Sequence, residues 1–312
     1  MIPKNSANMR KNILVLIILI ISTNYITSQE NNLSNSELII NSTIRIECTK
    51  DTIINNQKYA YTSTGTGFFF EFLIDNTKIP FIVTNYHVIK NSRNGILNFT
   101  EQENNLPKYG SILTYNISNF HNTWIKHPSA DLAILPLNGI IQDFKKQKNK
   151  DLFYVCYEEN LIPNEQFLSE ITAIEEVLMI GYPKGLWDIV NNLPVVRRGT
   201  TATPIYINYS GKKQFLLDIP IFAGSSGSPI VLFNNGSYST KKGAISIGSR
   251  IALLGINVQS IDYNAEGKLI LPPNNPSVQT STAVPMNIAV IIKSDELLTF
   301  KPIIKELLKR KK

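Results

Sequence analysis

The sequence predicts an all-β fold, a sandwich or a barrel, and two observations support this prediction. Short runs rich in Val, Ile, Phe and Thr recur along the chain, and clusters of Asn, Asp, Gly and Ser separate them. Many short strands with turn residues between them are typical of sandwiches and barrels rather than of βαβ folds. The runs expected to form strands are residues 38–46, 67–73, 79–83, 110–115, 132–137, 177–180, 203–207, 215–217, 229–233 and 251–258.

Two segments depart from the strand pattern. Residues 141–171 are rich in Lys, Gln, Asn and Glu, and we expect them to form a linker with some helix. Residues 294–309 predict a terminal helix, because acidic residues fill its first turn and basic residues crowd its last. Ser294 has the hydroxyl expected of an N-cap, and Pro302 is expected to bend or split the helix.

The net charge of +7 is confined to the two ends of the 312-residue chain. Residues 1–11 carry a net +3 and residues 305–312 a net +4, so the segment between them is neutral. A nucleic-acid-binding domain shows its positive charge on the folded body, so we expect no nucleic-acid role. Apolar residues make up 43% of the chain, which is typical of a globular protein with room for one large or two ordinary domains.

The N-terminus has the pattern of an export signal. Basic residues precede an apolar run at residues 13–21, and polar residues follow it. As a helix this run would span about 14 Å, far less than the ~30 Å hydrocarbon core of a bilayer, and this is the size of a signal-peptide core. We interpret residues 1–28 as a signal peptide or an uncleaved N-terminal anchor and residues 29–37 as a lead-in. The rest of the chain is expected in the periplasm or secreted.

The two cysteines and three histidines give no zinc-binding spacing, so the sequence predicts no metal or other cofactor. Cys48 and Cys156 leave two alternatives open. They form either a disulfide, which export permits, or two unpaired thiols.

Three short stretches carry the residue types of nucleophilic catalysis. His87 follows the β-type run at residues 79–83, and Asp131 opens the apolar run at residues 132–137. A partly buried carboxylate needs a partner, and a histidine would serve. Ser226 lies among small residues, where glycines permit a close substrate approach and leave backbone N–H groups free to face a developing oxyanion.

Together the three stretches resemble the motifs of trypsin-like serine peptidases, which read roughly T-x-x-H-V, D-[LI]-A-[LIV]-[LIV] and G-x-S-G-x-P. The matching residues are 84–88, 131–135 and 224–229, in the family's order His, Asp, Ser. The resemblance is closest to the bacterial exported group, but a PDZ domain is not expected after residue 292. An α/β-hydrolase is excluded, because no histidine follows Ser226 and the G-x-S-x-G elbow is absent.

This resemblance implies two antiparallel six-stranded β-barrels and a C-terminal helix, with the cleft between the barrels. The first barrel would supply His87 and Asp131, and the second would supply Ser226. The implied segments are the first barrel at residues 38–140, the linker at 141–171, the second barrel at 172–292 and the basic helix at 293–312.

The same resemblance implies a serine endopeptidase that works through an acyl-enzyme. Ser226 would attack the peptide carbonyl, His87 would move the proton, and Asp131 would orient the imidazole. The N–H groups of Gly224 and Ser226 would form the oxyanion hole. Ser225 replaces the Asp that trypsin-type zymogens pair with a newly cut N-terminus, so no activation by that route is expected.

The family's primary pocket is walled by residues just before the nucleophile and by a later strand. No acidic residue stands six positions before Ser226, so cleavage after Lys or Arg is not predicted, and an apolar or small pocket is expected. A protein or peptide substrate is the expected partner. The alternative is a non-catalytic protein-binding member of the same fold. The expected pocket residues are Pro220, Ile221, Phe222, Ile256, Asn257 and Val258.

Overall fold

The computed structural model describes residues 33–269 and 278–310. The predicted leader at residues 1–28 therefore lies outside the described residues. Among the described helices, none has the length and apolarity needed to cross a membrane.

The N-terminal half forms one antiparallel sheet with a single parallel pairing. Its strand order is β5-β4-β1-β2-β3-β7-β6, with β8 paired to β4 and β9 paired in parallel to β2. The strands are β1 (Thr43–Ile54), β2 (Gln57–Ile74), β3 (Thr77–Thr84), β4 (Ser92–Glu103), β5 (Leu106–Ser118), β6 (Ile125–Lys126), β7 (Ala133–Pro136), β8 (Leu152–Phe153) and β9 (Tyr157–Glu158).

The C-terminal half forms a closed antiparallel barrel. Its strand order is β10-β11-β12-β17-β16-β13, and β13 pairs back to β10. A separate two-stranded hairpin, β14–β15, follows the fourth barrel strand along the chain. The strands are β10 (Glu176–Gly181), β11 (Val195–Thr201), β12 (Gln214–Asp218), β13 (Pro229–Asn234), β14 (Ser237–Ser239), β15 (Ile245–Ile247), β16 (Arg250–Leu269) and β17 (Val278–Lys293).

The prediction of two closed six-stranded barrels is thus confirmed for the C-terminal half only. In the described N-terminal sheet, the end strands β5 and β6 do not pair with each other, so the sheet stays open. Closure needs a continuous ring of hydrogen-bonded strands, and β6 is too short, at two residues, to continue the ladder beyond β7.

The helices are short and lie mostly between strands. They are α1 (Asn35–Ile40), α2 (Tyr86–Ile89), α3 (Asn138–Lys148), α4 (Glu165–Glu170) and α5 (Lys301–Arg310), with 3₁₀ segments at Phe120–Thr123, Glu159–Leu161, Pro183–Gly185, Tyr209–Gly211 and Ser294–Phe300. The segment 141–171, expected to be a linker with some helix, contains most of α3, all of α4 and the short strands β8 and β9.

Two predicted strands are wrong. The run at residues 38–46 begins as α1, because Ser34 and Glu37 form a reciprocal capping box that satisfies the first turn of a helix. The strand starts only at Thr43. Residues 203–207 form turns, and the Thr203 hydroxyl accepts a hydrogen bond from the Leu216 amide instead of continuing a ladder.

The C-terminal helix is present, but its start differs from the prediction. Residues 294–300 form a 3₁₀ helix, Ser294 is buried inside it, and Lys293 precedes it without a side-chain cap. Pro302 lies in the first turn of α5, where a missing N–H removes no intrahelical hydrogen bond. The predicted helix is thus divided next to the proline into a 3₁₀ segment and an α-helix.

Strand β2 joins the two halves through alternate side chains. Phe68, Phe70 and Phe72 contribute to a core shared with the C-terminal barrel and the terminal helices, whereas Phe69 packs inside the N-terminal sheet. Neighbouring residues of a strand point to opposite faces, so one aromatic run fills both cores. The shared core holds the edges of the two halves together, and the predicted site residues lie along this junction.

Candidate functional site

His87 is placed by one helical turn at the end of β3. The strand ends at Thr84, and α2 begins two residues later. Asn85 between them is fully buried, and its side-chain amide donates to the Asp131 carbonyl at 2.9 Å. The His87 side chain is 46% exposed, so its ring is available to a ligand.

Asp131 contacts His87 at two points. Its Oδ1 accepts the backbone N–H of His87 at 2.9 Å, and its Oδ2 lies 2.5 Å from His87 Nδ1. Burial pushes the pKa of Asp131 upward, but the hydrogen bonds and the charge of His87 outweigh burial and hold this pKa below its ordinary value. The carboxylate therefore stays ionised next to the imidazole.

Ser226 lies in the loop between β12 and β13, across the junction from His87. Its Oγ donates to the Val258 carbonyl at 3.5 Å, and among the described residues no hydrogen bond joins it to His87. His87, Asp131 and Ser226 nevertheless line the same cleft, which has a volume of about 450 Å³. Hydrogen bonds to a nucleophile are often long in ligand-free sites and tighten when substrate binds.

Backbone geometry around Ser226 leaves two amides free. Within the described residues, the N–H groups of Gly224 and Ser226 donate no hydrogen bond, whereas those of Ser225, Gly227 and Ser228 do. The Lys184 N–H donates to the Ala223 carbonyl at 2.5 Å. In a trans peptide the next N–H points the opposite way, so the Gly224 N–H is directed away from Lys184.

Gly224 cannot be replaced without strain. Its φ is +91°, and a Cβ there would lie 2.5 Å from the Tyr182 carbonyl oxygen. Only glycine combines this backbone conformation with so close an approach.

Thr66 of β2 joins the Ser226 loop to the N-terminal half through hydrogen bonds. Its N–H donates to the Ser226 carbonyl at 2.9 Å, and its hydroxyl donates to the Gly224 carbonyl at 2.9 Å. The same hydroxyl accepts the Tyr182 N–H at 3.1 Å. No sequence motif indicated this contact, which joins residues 158 positions apart.

Four of the six expected pocket residues line the cleft. These are Ile221, Phe222, Asn257 and Val258. Pro220 is not among the lining residues, and its carbonyl accepts Arg197 Nη1 instead. Ile256 is also absent, because its side chain is buried in the shared core. Beyond these six residues, the lining includes Ala223, Gln259 and Ser260.

Apart from the pair His87 and Asp131, no ionisable side chain lines the cleft. Two cations lie beside the cleft. Lys184 and Arg197 both lie over the ring of the lining residue Phe222, at 5.4 Å and 4.9 Å from its centroid. Away from His87 and Asp131 the lining is therefore uncharged, and the surface beside Phe222 is positive.

Of the two alternatives for the cysteines, the structure has the unpaired thiols. Cys48 is buried, and Cys156 is partly exposed. Within the described residues, no group of three or more His, Cys, Asp or Glu side chains is arranged to hold a metal ion.

Residues 65–237 match the family described as the trypsin-like peptidase domain. No curated protein sequence matches the chain.

Among solved structures, the chain is similar to Rv3671c protease of M. tuberculosis H37Rv in its inactive form. Identity is 14% over 83% of this chain and 87% of that chain, with a TM-score of 0.39. A serine-to-alanine mutant of the same protein gives 12% identity over 83% and 84%, with a TM-score of 0.38.

A third similar structure is the thermostable serine protease AL20 from an extremophilic microorganism. Identity is 11% over 85% of this chain and 97% of that chain, with a TM-score of 0.40.

The family match spans more than half of the chain. The chain therefore belongs to the trypsin-like peptidase domain family, and it is a serine peptidase and thus a hydrolase.

Proposed function

We propose that the chain is an exported endopeptidase in which His87, Asp131 and Ser226 form the catalytic triad. The observation that carries this proposal is the 2.5 Å contact between His87 Nδ1 and Asp131 Oδ2, in a cleft that Ser226 also lines. Because Asp131 accepts at Nδ1, the other ring nitrogen is left to take the proton of Ser226.

The reaction proceeds through an acyl-enzyme. Substrate binding turns the Ser226 hydroxyl from the Val258 carbonyl toward His87, and Oγ attacks the peptide carbonyl. The free amides of Gly224 and Ser226 stabilise the oxyanion that forms. His87 then gives its proton to the leaving amine, and water releases the acyl group by the same route in reverse.

The neutral lining of the cleft supports a preference for small or apolar side chains before the cleaved bond. No carboxylate lines the cleft to pair with Lys or Arg except Asp131, which His87 already occupies. A set of peptides that differ only at this position tests the preference, and Ala or Leu is expected to exceed Lys in kcat/KM.

Export is proposed from the basic, apolar and polar order of residues 1–28. N-terminal sequencing of the protein recovered from the periplasm or the medium tests it. A mature N-terminus near residue 29 indicates cleavage, an intact N-terminus in the membrane fraction indicates an anchor, and recovery in the cytoplasm contradicts export.

The triad is tested with a fluorophosphonate probe and a casein digest on purified residues 29–312. Ser226→Ala is expected to lose labelling and to lower turnover by about 10⁶-fold. Ser225→Ala is the matched control, because the Ser225 hydroxyl is buried and makes no hydrogen bond, and labelling should persist. If the folded parent is neither labelled nor active, the chain is instead a non-catalytic protein-binding member of the fold.

A further inference from the structure

His127 is a buried histidine that the proposed reaction does not use. Its side chain is 1% exposed, and it lies four residues before Asp131 in the segment between β6 and β7. The backbone N–H of His127 donates to the Leu132 carbonyl at 2.9 Å, which closes this segment into a loop. We define residues 127–132 as the acid loop, because it carries Asp131.

One side of the imidazole organises the acid loop. His127 Nδ1 accepts the N–H of Ala130 at 2.7 Å and that of Ser129 at 3.2 Å. A backbone N–H can only donate, so Nδ1 must be unprotonated and the ring proton must lie on Nε2. The ring thus fixes the two residues that directly precede Asp131.

The other side of the imidazole is held by the C-terminal 3₁₀ helix. His127 Nε2 contacts the Thr299 hydroxyl. That hydroxyl donates to the Glu296 carbonyl at 2.7 Å, so it can only accept from His127. Phe300 packs edge-on against the ring, with centroids 4.9 Å apart. Both sides of the ring therefore require the same tautomer.

The acid loop is held at its far end by the residues around His87. Asn85 Nδ2 and the Tyr86 N–H both donate to the Asp131 carbonyl, at 2.9 Å and 3.4 Å. The position of the Asp131 carboxylate is thus set from two directions, by the His87 turn on one side and by His127 on the other.

We propose that His127 is a positioning residue for the triad, which fixes the Asp131 carboxylate by joining the acid loop to the C-terminal 3₁₀ helix. This inference rests on the proposed triad. It gives the terminal helix a role in the reaction, because Thr299 and Phe300 orient the ring that orients the acid loop.

Burial, more than the charges around the ring, favours the neutral form of His127. Burial lowers the pKa of His127, while Glu296, whose carboxylate lies 3.8 Å from Nε2, acts in the opposite direction. Lys213 pairs with both Glu296 and Asp295 and so weakens their effect. Protonation would place a proton on Nδ1 and break both amide contacts. The neutral ring therefore keeps the acid loop in place at neutral pH.

Two substitutions of His127 separate its acceptor role from packing. In His127→Asn the amide oxygen can take the place of Nδ1, whereas in His127→Gln the amide reaches only toward Nε2. We expect His127→Gln to lower kcat by about 10²-fold, the size of effect that a small misplacement of a catalytic group causes, with little change in KM. His127→Asn should recover most of kcat.

Labelling by the fluorophosphonate probe separates positioning from partial unfolding. In His127→Gln the fraction of protein labelled at saturation should match the parent, while kcat per labelled site falls. A sample that is merely partly unfolded is labelled to a smaller extent and keeps the parental kcat per labelled site. His121→Gln is the matched control, since the His121 ring lies tilted against Tyr86, with centroids 5.7 Å apart, and no hydrogen bond among the described residues joins it to the acid loop.

Ser226→Ala, measured in the same assays, separates this inference from the proposed function. Full turnover in Ser226→Ala overturns the triad. A parental kcat per labelled site in His127→Gln, beside an inactive Ser226→Ala, overturns the positioning role alone. If His127→Gln does not fold, Thr299→Val replaces it, because Thr299 is exposed. Thr299→Val should also lower kcat per labelled site, and a parental value there overturns the inference.

Discussion

The carboxylate of Asp131 contacts both the ring and the backbone of His87. Its Oδ2 lies 2.5 Å from His87 Nδ1, and its Oδ1 accepts the His87 backbone N–H at 2.9 Å. The ring contact sets the tautomer, and the backbone contact sets the distance between the two residues. This arrangement is the geometric basis for the predictions on turnover and pH.

Replacing the acid by an amide should remove most of the turnover. Asp131→Asn can keep the shape of both contacts, but its NH₂ group favours the wrong tautomer of His87, which costs about 10⁴-fold in kcat in this type of triad. Single-turnover kinetics with a peptide ester would measure the acylation step. An Asp131→Asn enzyme within tenfold of the parent would contradict the assignment of Asp131.

The loss of stability caused by the same substitution should depend on pH. The folded pKa of Asp131 lies below its unfolded value, so its contribution to stability is present above the unfolded pKa. That contribution is lost as the pH falls through the folded pKa. The difference in the free energy of unfolding between parent and Asp131→Asn should therefore be largest near neutral pH and shrink in acid. Urea titrations at several pH values check this, and a difference that grows in acid has the wrong sign.

Loss of the Thr66 hydroxyl should affect both stability and turnover. Thr66→Val leaves the Gly224 carbonyl and the Tyr182 N–H without their partner, and each buried polar group left unpaired costs about 1–3 kcal/mol. Urea unfolding measures the stability, and kcat reports the position of the Ser226 loop. Thr62→Val, an exposed position on the same strand, should match the parent in both assays.

A buried ion pair away from the cleft should be needed for folding. Arg250 Nη2 lies 2.6 Å from Glu175 Oε2, with side chains only 11% and 7% exposed. Glu175→Gln leaves a buried guanidinium without its counter-charge, which costs about 3–5 kcal/mol. The neighbouring pair of Glu176 and Arg198 is exposed, so Glu176→Gln should leave the Tm unchanged. Equal Tm values for the two variants would contradict the prediction.

The Cys48 thiol should be inert in the native protein. Burial raises the pKa of Cys48 to about 11, and the thiolate is the reactive form. In a Cys156→Ser background, we expect no reaction with an aromatic disulfide reagent at pH 8 until urea unfolds the chain. Rapid modification under native conditions would show that the strand β1 opens locally.

Much of the candidate site could be predicted from short motifs. His87, Asp131 and Ser226 each lie in a stretch whose local pattern indicates the end of a strand, the start of a strand or a small-residue loop. Of the expected pocket residues, Ile221, Phe222, Asn257 and Val258 line the cleft. Ile256 does not line it, because a residue's place in a strand sequence does not by itself show on which face of the sheet its side chain lies.

The fold was predicted in outline, and the errors have local causes. The capping box at Ser34 and Glu37 overrode an apolar run that resembles a strand. The first sheet was expected to close by analogy with the family, but two-residue β6 ends the ladder. A sequence pattern indicates a strand and its faces, whereas closure depends on which strand edges finally meet.

The sequence by itself determined the chemical groups of the site and their order along the chain, because each motif is short and its residue types are visible locally. Only the tertiary structure decided which groups support them. Asn85, Thr66 and His127 hold the site through partners 46, 158 and 172 residues away. Such contacts depend on how the two halves and the terminal helix pack. A local sequence pattern does not indicate contacts between residues so far apart in the chain.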